Sequence, residues 1–587
     1  MSKLFYISLF ILLFLLLQIG YSYHFFYIEQ FQLFMFSEDY LFETVSHPGG
    51  LSVYLGEFLV QFFYYPLVGE FVSALLLVCI AGLIKQYVSF NKNCFLLEGF
   101  ILLFLLIDIL DFNFLYAGVG AYLFCVVFLL VYKRIQKESV RILTGCLMIC
   151  LLYLIAGSVF VAFAVSLLIQ EIKVYRLKIG LLLIPALFTI LLVFYLNYAG
   201  YLYYSEIICF ADGIYVLKGG AGWVIYAPWF LLAFSPLLSP LFGFVFVAIK
   251  NRYWRMGTQV VIFLLCGAFL LSGYDDRKSL PVKKYAYYAD HKKWEKILHS
   301  CKKQKPTDLL CLNYQNLALA EQGVLADSLL MYTQQGSKGL FVDWNMTPFV
   351  SMTLQKICYY YGDIASARKY AFECNVCARS VGYPQTLKML ATCNWEMGEY
   401  AVVDKYLSYL HKTWVYRNWE VDTLCLRRVE SQADNFVYLQ DIDLLAYDNV
   451  HNKKLADFVL CSYLLDKNLN EFLKAFYYFY KNEKNVPVIY QEAIFLGAQS
   501  NPQILDYFFI PDSLKERFLA YQSFCKTNHL DISMNMENRN ILWLLLLFLL
   551  TVLLFFYLNA LNPNDLNLSF DPALHSCTTL LTLHFCP

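Results

Sequence analysis

The chain has 587 residues, 59% of them hydrophobic and only 15% charged, whereas an average soluble domain is about 25% charged. Its 45 basic and 45 acidic side chains cancel, which removes the field that nucleic-acid binding requires, and the apolar excess excludes a wholly soluble fold. The length accommodates a membrane block and a soluble domain.

The first apolar run, Leu4 to Tyr21 behind Lys3, is short enough for a secretory signal. The residues that follow, Gly20-Tyr21-Ser22-Tyr23, offer no small-x-small cleavage site, so it reads as a retained helix. Ser22 to Gly50 carries Glu29, Glu38, Asp39 and Glu43 with no Lys or Arg, which makes it external by the positive-inside rule. Leu51 to Tyr65, ended by Pro66, reads as a helix in the outer interface. Phe71 to Leu83 returns to Lys85 and Lys92.

Phe95 to Leu110 exits, with Asp108 and Asp111 near its outer end, where solvation accounts for them. Phe114 to Tyr132 comes back to Lys133, Arg134, Lys137 and Arg141. The run Ile142 to Gln170 is too long for one span of about 20 residues. Basic residues flank it on both sides (Arg141, then Lys173, Arg176 and Lys178), which predicts two short helices turning near Gly157-Ser158. Broken helices survive in a bilayer only where protein or a water-filled cavity satisfies the freed backbone, so this is a first hint of a cavity.

Ile179 to Asn197 exits again, leaving the outer loop Tyr198 to Gly222. The run from Trp223 contains Pro228, Pro236 and Pro240 and reaches Lys250, Arg252 and Arg255; Val260 to Leu271 completes the exit. With Ile541 to Tyr557 the tally is about ten crossings at about 20 residues each. Residues 274–538 have the polarity of a soluble domain.

That domain carries an internal repeat. Gly362-Asp-Ile-Ala365-Ser-Ala-Arg-Lys369-Tyr370 recurs as Gly398-Glu-Tyr-Ala401-Val-Val-Asp-Lys405-Tyr406, 36 residues later, and Gly323-Val-Leu-Ala326 is a third copy 39 residues earlier. Glycine suits a tight interhelix turn, and a small Ala at the next step suits close helix approach. Trp294, Leu298, Tyr360, Tyr361 and Trp395 are the large partners for the hairpin seams. The pattern resembles the tetratricopeptide repeat, with less regular hairpins continuing through Lys454 to Asp466, Asn470 to Tyr480 and Val488 to Leu496. Such stacks bind partners and have no built-in catalytic site.

Expected, then, is an all-α chain. Residues 1–273 form a polytopic membrane helical bundle, 274–538 a tetratricopeptide-like α-solenoid outside the cytoplasm, 539–560 a C-terminal transmembrane helix, and 561–587 a tail. Asn313-Tyr-Gln-Asn-Leu-Ala-Leu-Ala-Glu-Gln-Gly323, Tyr359-Tyr-Tyr-Gly-Asp-Ile-Ala365, Gly398-Glu-Tyr-Ala401 and Val488-Ile-Tyr-Gln-Glu-Ala-Ile494 resemble blocks of an uncharacterised family of multi-pass membrane proteins from Bacteroides and its relatives. The resemblance runs from the first span to the last. It implies a Gram-negative inner membrane with the repeats in the periplasm, and carries no activity.

Two functions from different classes fit. The bundle is similar to multi-pass glycosyltransferases of the C type, which use polyprenyl-phosphate sugars; Glu29, Glu38 and Asp39 stand where their external acids would, with His47 in the turn His47-Pro48-Gly49-Gly50 beside them. That likeness implies a carboxylate acting as general base or holding a divalent cation. Lys218 and Arg277 are the external bases for a phosphate. The alternative is a non-catalytic scaffold whose repeats hold a protein partner, which leaves the number of crossings unexplained because one span suffices for an anchor. A transporter is disfavoured by the scarcity of charge within the spans.

Nine of the 18 cysteines fall between Lys278 and Met536 without disulfide-like spacing and are expected as small core residues. Cys374 and Cys377 lack a second pair for zinc, and the pairs His575/Cys577 and His584/Cys586 fall in the tail. Phosphate-binding Gly-rich loops, His-Glu-x-x-His and Gly-x-Ser-x-Gly are missing from the sequence, which withdraws ATP-driven transport, dinucleotide chemistry and the common hydrolase signatures.

Overall fold

The computed structural model describes residues 3–88, 96–173, 179–200, 214–216, 223–247, 249, 251–274, 279–378, 381–423, 441–481, 485–500 and 511–516. These are helices throughout, with a single isolated bridge, Phe114 to Val216, in place of a sheet. The apolar part comprises α1 (Lys3–Glu29), α2 (Glu38–Ser46), α3 (Gly50–Val60), α4 (Val68–Val88), α5 (Leu96–Leu110), α6 (Tyr116–Arg134), α7 (Glu138–Ala156), α8 (Phe160–Lys173), α9 (Ile179–Tyr198), α10 (Trp223–Ala233), α11 (Ser235–Val247) and α12 (Arg252–Tyr274). The polar part comprises α13 (Leu280–Asp290), α14 (Trp294–Gln304), α15 (Leu309–Glu321), α16 (Leu325–Ser328), α17 (Pro348–Tyr361), α18 (Ile364–Val376), α19 (Pro384–Glu396), α20 (Tyr400–His411), α21 (Asp441–Asp448), α22 (Lys453–Leu465), α23 (Leu469–Tyr480) and α24 (Val488–Ser500).

Instead of about ten spans, four helical runs among the described residues are long and apolar enough to cross a membrane: Phe5–Glu29, Val68–Val88, Tyr116–Arg134 and Glu138–Ile172. A fifth results if α10 and α11, bent by 80° at their junction, count as one. Pro236 explains that bend, since it has no N–H to continue the helix. Further apolar helix occurs at Ile184–Tyr198 in α9 and Gly257–Gly273 in α12, and the run Ile541 to Tyr557 lies outside the described residues.

The run Glu138–Ile172 folds back on itself, as the flanking basic residues predicted. Arg141, in the first turn of α7, donates from Nε to Glu171 Oε1 at 2.5 Å and from Nη2 to Oε2 at 2.9 Å, although 30 residues separate them. A continuous helix would hold the two about 45 Å apart at 1.5 Å per residue. The turn is Gly157, at φ +78°, followed by a 3-10 turn through Val159.

The tip of this hairpin is closed by loops. Gly49 N–H donates to Leu154 O at 3.0 Å, and a Cβ on Gly157 would strike the Ile214 side chain. Tyr215 donates to Ala156 O from its hydroxyl, and its own carbonyl accepts from Leu115 N–H at 2.7 Å.

The opposite end of the bundle is polar and basic. Lys85 pairs with Glu98 at 3.1 Å, Lys133 donates to Tyr87 O at 2.7 Å, and Tyr132 donates to Glu171 at 2.5 Å. Between the ends, Gly56 lets α3 lie in backbone contact with α6, because a Cβ there would sit 2.4 Å from Ala117 N.

In the polar part the repeat does set the turns. Gly362, Gly398 and Gly323 all follow their helices at positive φ (+88°, +79° and +69°), the left-handed cap that glycine reaches without strain. Asp363 then caps α18 by accepting from Ser366 N–H at 2.9 Å. The alanines require a correction. Ala326 is buried, but Ala365 and Ala401 face solvent, and the packing positions of α18 and α20 are Ala367, Ala371 and Val403. Exposed helical positions favour Ala through propensity alone, so the matched alanines reported a helix and not its contact face.

Nor does the chain extend as an open stack beyond α20. α22 returns to the beginning of the domain: Tyr361 and Phe458 meet edge to face with centroids 4.8 Å apart, and Lys454 bridges Glu321 and the Tyr360 carbonyl. Core contacts also cross the expected boundary near residue 273. Tyr27, Phe31 and Phe112 belong to the core of the polar part, and Leu33, Phe34 and Met35 share a second core with Leu387, Leu410 and Tyr416.

Candidate functional site

The place where the apolar and polar parts join holds a set of buried ionisable groups, among them His24, Glu29, Lys283 and Lys356. It begins at a kink in α1. Tyr21 leaves helical geometry (φ −137°, ψ 17°), with the weak helix formers Gly20 and Ser22 on either side. Before the kink α1 exposes Ile7, Ile11, Leu12, Leu15 and Ile19; after it, residues 23–35 are mostly buried, packed on the bundle on one side and the polar part on the other.

Three layers of contact follow. Tyr23 and Tyr288 share a hydroxyl hydrogen bond at 2.9 Å. At the next residue, His24 Nδ1 lies 2.8 Å from Lys283 Nζ, and its Nε2 lies 2.8 Å from Ile109 O. An ammonium can only donate and a carbonyl can only accept, which assigns the imidazole proton to Nε2. The third layer is Glu29, the last residue of α1. It accepts from Tyr416 Oη at 2.7 and 2.9 Å and from the Gln30 amide.

Around Glu29 the charges are arranged in series. The Lys388 ammonium stands 4.6 Å from the centre of the Tyr416 ring. Behind it Asp290 accepts from Lys356 at 2.6 Å and from Gln385 at 2.8 Å. Burial pushes the Lys388 pKa down, against the attraction of Glu29 and Asp290. For Lys356 burial acts the same way, but the direct ion pair with Asp290 outweighs it and holds the ammonium above its ordinary value. Burial, then the Glu29 carboxylate, drives the Tyr416 hydroxyl well above the usual tyrosine range, so it stays a donor.

The other acids expected beside Glu29 are elsewhere. Glu38 and Asp39 are exposed in the first turn of α2, where the helix dipole favours carboxylates and Ser37 caps the end by accepting from Tyr40 N–H at 3.3 Å. His47 is exposed at the C-cap of the same helix. Among the described residues none of these three shares a hydrogen bond or ion pair with Glu29.

Of the outer loop, Ile214 and Tyr215 pack on the α7–α8 tip and not on Glu29, and Lys218 and Arg277 lie outside the described residues. Asp108, taken as solvated at a helix end, is fully buried, and neither carboxyl oxygen has a hydrogen bond among the described residues.

Sequence reasoning missed Tyr416, Lys388 and Lys283, the groups that make Glu29 and His24 into a junction. No local signal marks them, since each is a polar residue within an ordinary amphipathic helix or loop hundreds of positions from its partner. Glu57, buried and accepting from Tyr40, was missed for the same reason. Among the described cysteines none is bonded to another; Cys301, Cys311, Cys358, Cys374, Cys393 and Cys461 are buried, as small core residues should be, and Cys377 is exposed. No three His, Cys, Asp or Glu side chains among the described residues are grouped to hold a metal ion.

Chemically, the arrangement around Glu29 is a closed polar lock. Both carboxylate oxygens are engaged, and the carboxylate is sealed from solvent by groups of the other part of the chain. No curated protein and no solved structure matches the chain. The family model that matches, over residues 1–542, shows that the chain belongs to a family of unknown function (DUF6057).

Proposed function

We propose that the protein is an integral membrane protein of the bacterial inner membrane that holds a tetratricopeptide-like domain rigidly against the outer face of its bundle, as a docking platform for a protein partner. The observation that carries this reading is the buried contact of Glu29 with Tyr416, which ties the end of the first helix to the loop after α20. Orientation follows from charge. Lys133, Arg134, Lys137 and Arg141 gather at the end of the bundle away from the hairpin domain, so that domain is external. Phe372 and Val376, exposed one turn apart on α18, are the anchor positions offered to a partner.

A second reading keeps one specific observation. Glu29 sits at the outer end of the first span, bonded to Tyr416 with Lys388 over that ring, the place a C-type glycosyltransferase acting on a polyprenyl-phosphate sugar would keep its base or its divalent-cation ligand. The two readings separate on Glu29→Gln, which preserves size and still accepts from Tyr416. For the platform, cells with the variant at normal protein level keep their envelope glycans, and a photo-reactive residue at 372 or 376 captures a discrete protein. Loss of a glycan product with Glu29→Gln at normal level would transfer the assignment to chemistry.

A further inference from the structure

The segment after α20, Lys412 to Glu420, reads as part of the soluble domain, yet it exposes Trp414 by half, with Lys412 and Arg417 exposed beside it. The Arg417 guanidinium lies 5.2 Å from the Trp414 ring centre. The segment is fixed in place: Phe36 N–H donates to Lys412 O at 2.7 Å, and Tyr416 is locked on Glu29. Trp414 is therefore displayed from a rigid base.

What it is displayed to follows from the neighbouring surface. Phe71 and Leu75, four apart on α4, form an exposed apolar stripe with Leu67 exposed just before the helix, and α4 is one of the helices long enough to cross a membrane. Immediately before this stripe Tyr64 and Tyr65 are exposed, and from there two chains of ring contacts lead to the segment. Tyr65, Tyr64 and Tyr416 are joined at 5.5 and 5.6 Å. Phe62, Phe58, Phe36 and Trp414 are joined at 5.4, 6.4 and 6.3 Å. Along the Phe62, Phe58, Phe36 and Trp414 contacts the apolar face of a span thus continues into an aromatic patch with Lys412 and Arg417 at its rim, while the Tyr64 contact anchors on buried Tyr416 and the acids Glu38, Asp39 and Glu420 are exposed farther out. Trp and Tyr concentrate where acyl chains meet headgroups, and Lys and Arg there reach lipid phosphate.

We propose that residues 412–419, together with Phe36, Tyr64 and Tyr65, form an interfacial foot that rests in the phospholipid headgroup layer of the outer leaflet. The hairpin domain would then touch the bilayer directly as well as the bundle. The inference rests on the membrane reading of α4, and the internal control below separates failure of one from failure of the other.

The test uses the full chain in phosphatidylcholine–phosphatidylglycerol vesicles. One preparation contains a phospholipid with a diazirine in the headgroup, another a diazirine at the acyl-chain end, and adducts are mapped by mass spectrometry. The acyl-end probe should label the exposed stripe Leu143, Leu147 and Leu151 of α7, which reports that the bundle is inserted. The headgroup probe should label Trp414 and Tyr65, and Arg417→Ser with Lys412→Ser should lower Trp414 labelling several-fold while Tyr65 labelling persists. Headgroup labelling of Tyr65 without Trp414 would overturn the proposal. So would a Trp414 cross-link to a second copy of the chain, or to another protein, in place of lipid. If the α7 stripe also failed to label, the membrane reading itself would fall.

Discussion

Tyr416 gives the lock its direction. Its hydroxyl is the one neutral donor shared by both Glu29 oxygens, so Tyr416→Phe leaves a buried carboxylate short of a partner. The expected cost is about 1–3 kcal/mol, the desolvation penalty of an unsatisfied buried group. In detergent the variant should melt at lower temperature, whereas Glu29→Gln should lose less; equal melting of Tyr416→Phe and the parent would remove the energetic role assigned to this contact.

Asp457 supplies a pH test in the hairpin domain. It is buried in α22, accepting from Tyr480 at 2.7 Å and Tyr490 at 2.9 Å, and burial raises its pKa despite those bonds. Between the ordinary aspartate value and the raised one, the folded chain holds a proton that the unfolded chain has released. Stability from this group is full below that window and is lost as pH rises through it. Melting curves across the weakly acidic range should show the decline, and Asp457→Asn should flatten it.

Helices α7 and α8 show what an element can reveal before its contacts are known. The flanking charges of Arg141 and Lys173 were enough to predict a hairpin, because both ends had to lie on the basic side, and the bidentate bond of Arg141 to Glu171 closes that hairpin. Removing one partner of a buried ion pair costs about 3–5 kcal/mol, while replacing both with apolar side chains is often neutral. Arg141→Met should therefore destabilise the protein strongly, and Arg141→Met with Glu171→Leu should recover most of the loss in the same melting assay. Gly56→Ala makes a sharper packing test, since its Cβ would meet the α6 backbone. It should cost about 1–3 kcal/mol by overpacking, with Gly82→Ala, whose nearest neighbour is a side-chain atom at 3.9 Å, as the harmless control.

The repeats were legible in the glycines and illegible in the alanines for one reason. A positive φ admits few residues, so Gly362 and Gly398 reveal their geometry, whereas Ala is favoured on any helix face. Likewise Asp108 looked solvated because sequence gives its distance from a helix end but not the helices packed around that end.

For the whole molecule, the all-α class and the division into an apolar and a polar part could be read from composition and periodicity. The way the two parts meet could not. Residues 27–35 fall within the stretch Ser22 to Gly50 that reads as an acidic external loop, and in the structure they are a buried bridge between the parts, because partners such as Tyr383, Leu410 and Tyr416 enter from far along the chain. Hydropathy sees only local neighbours, so a loop that becomes core through distant aromatic residues cannot be recognised by it.

Hydrogen exchange of the full chain in lipid nanodiscs measures that junction directly. Backbone amides of residues 31–36 and 412–416 should be protected as strongly as the interior of α17, beginning with Phe36, whose N–H is bonded to Lys412 O. Exchange of both segments at the rate of free loops, while α4 and α17 remain protected, would contradict the rigid union of bundle and hairpin domain.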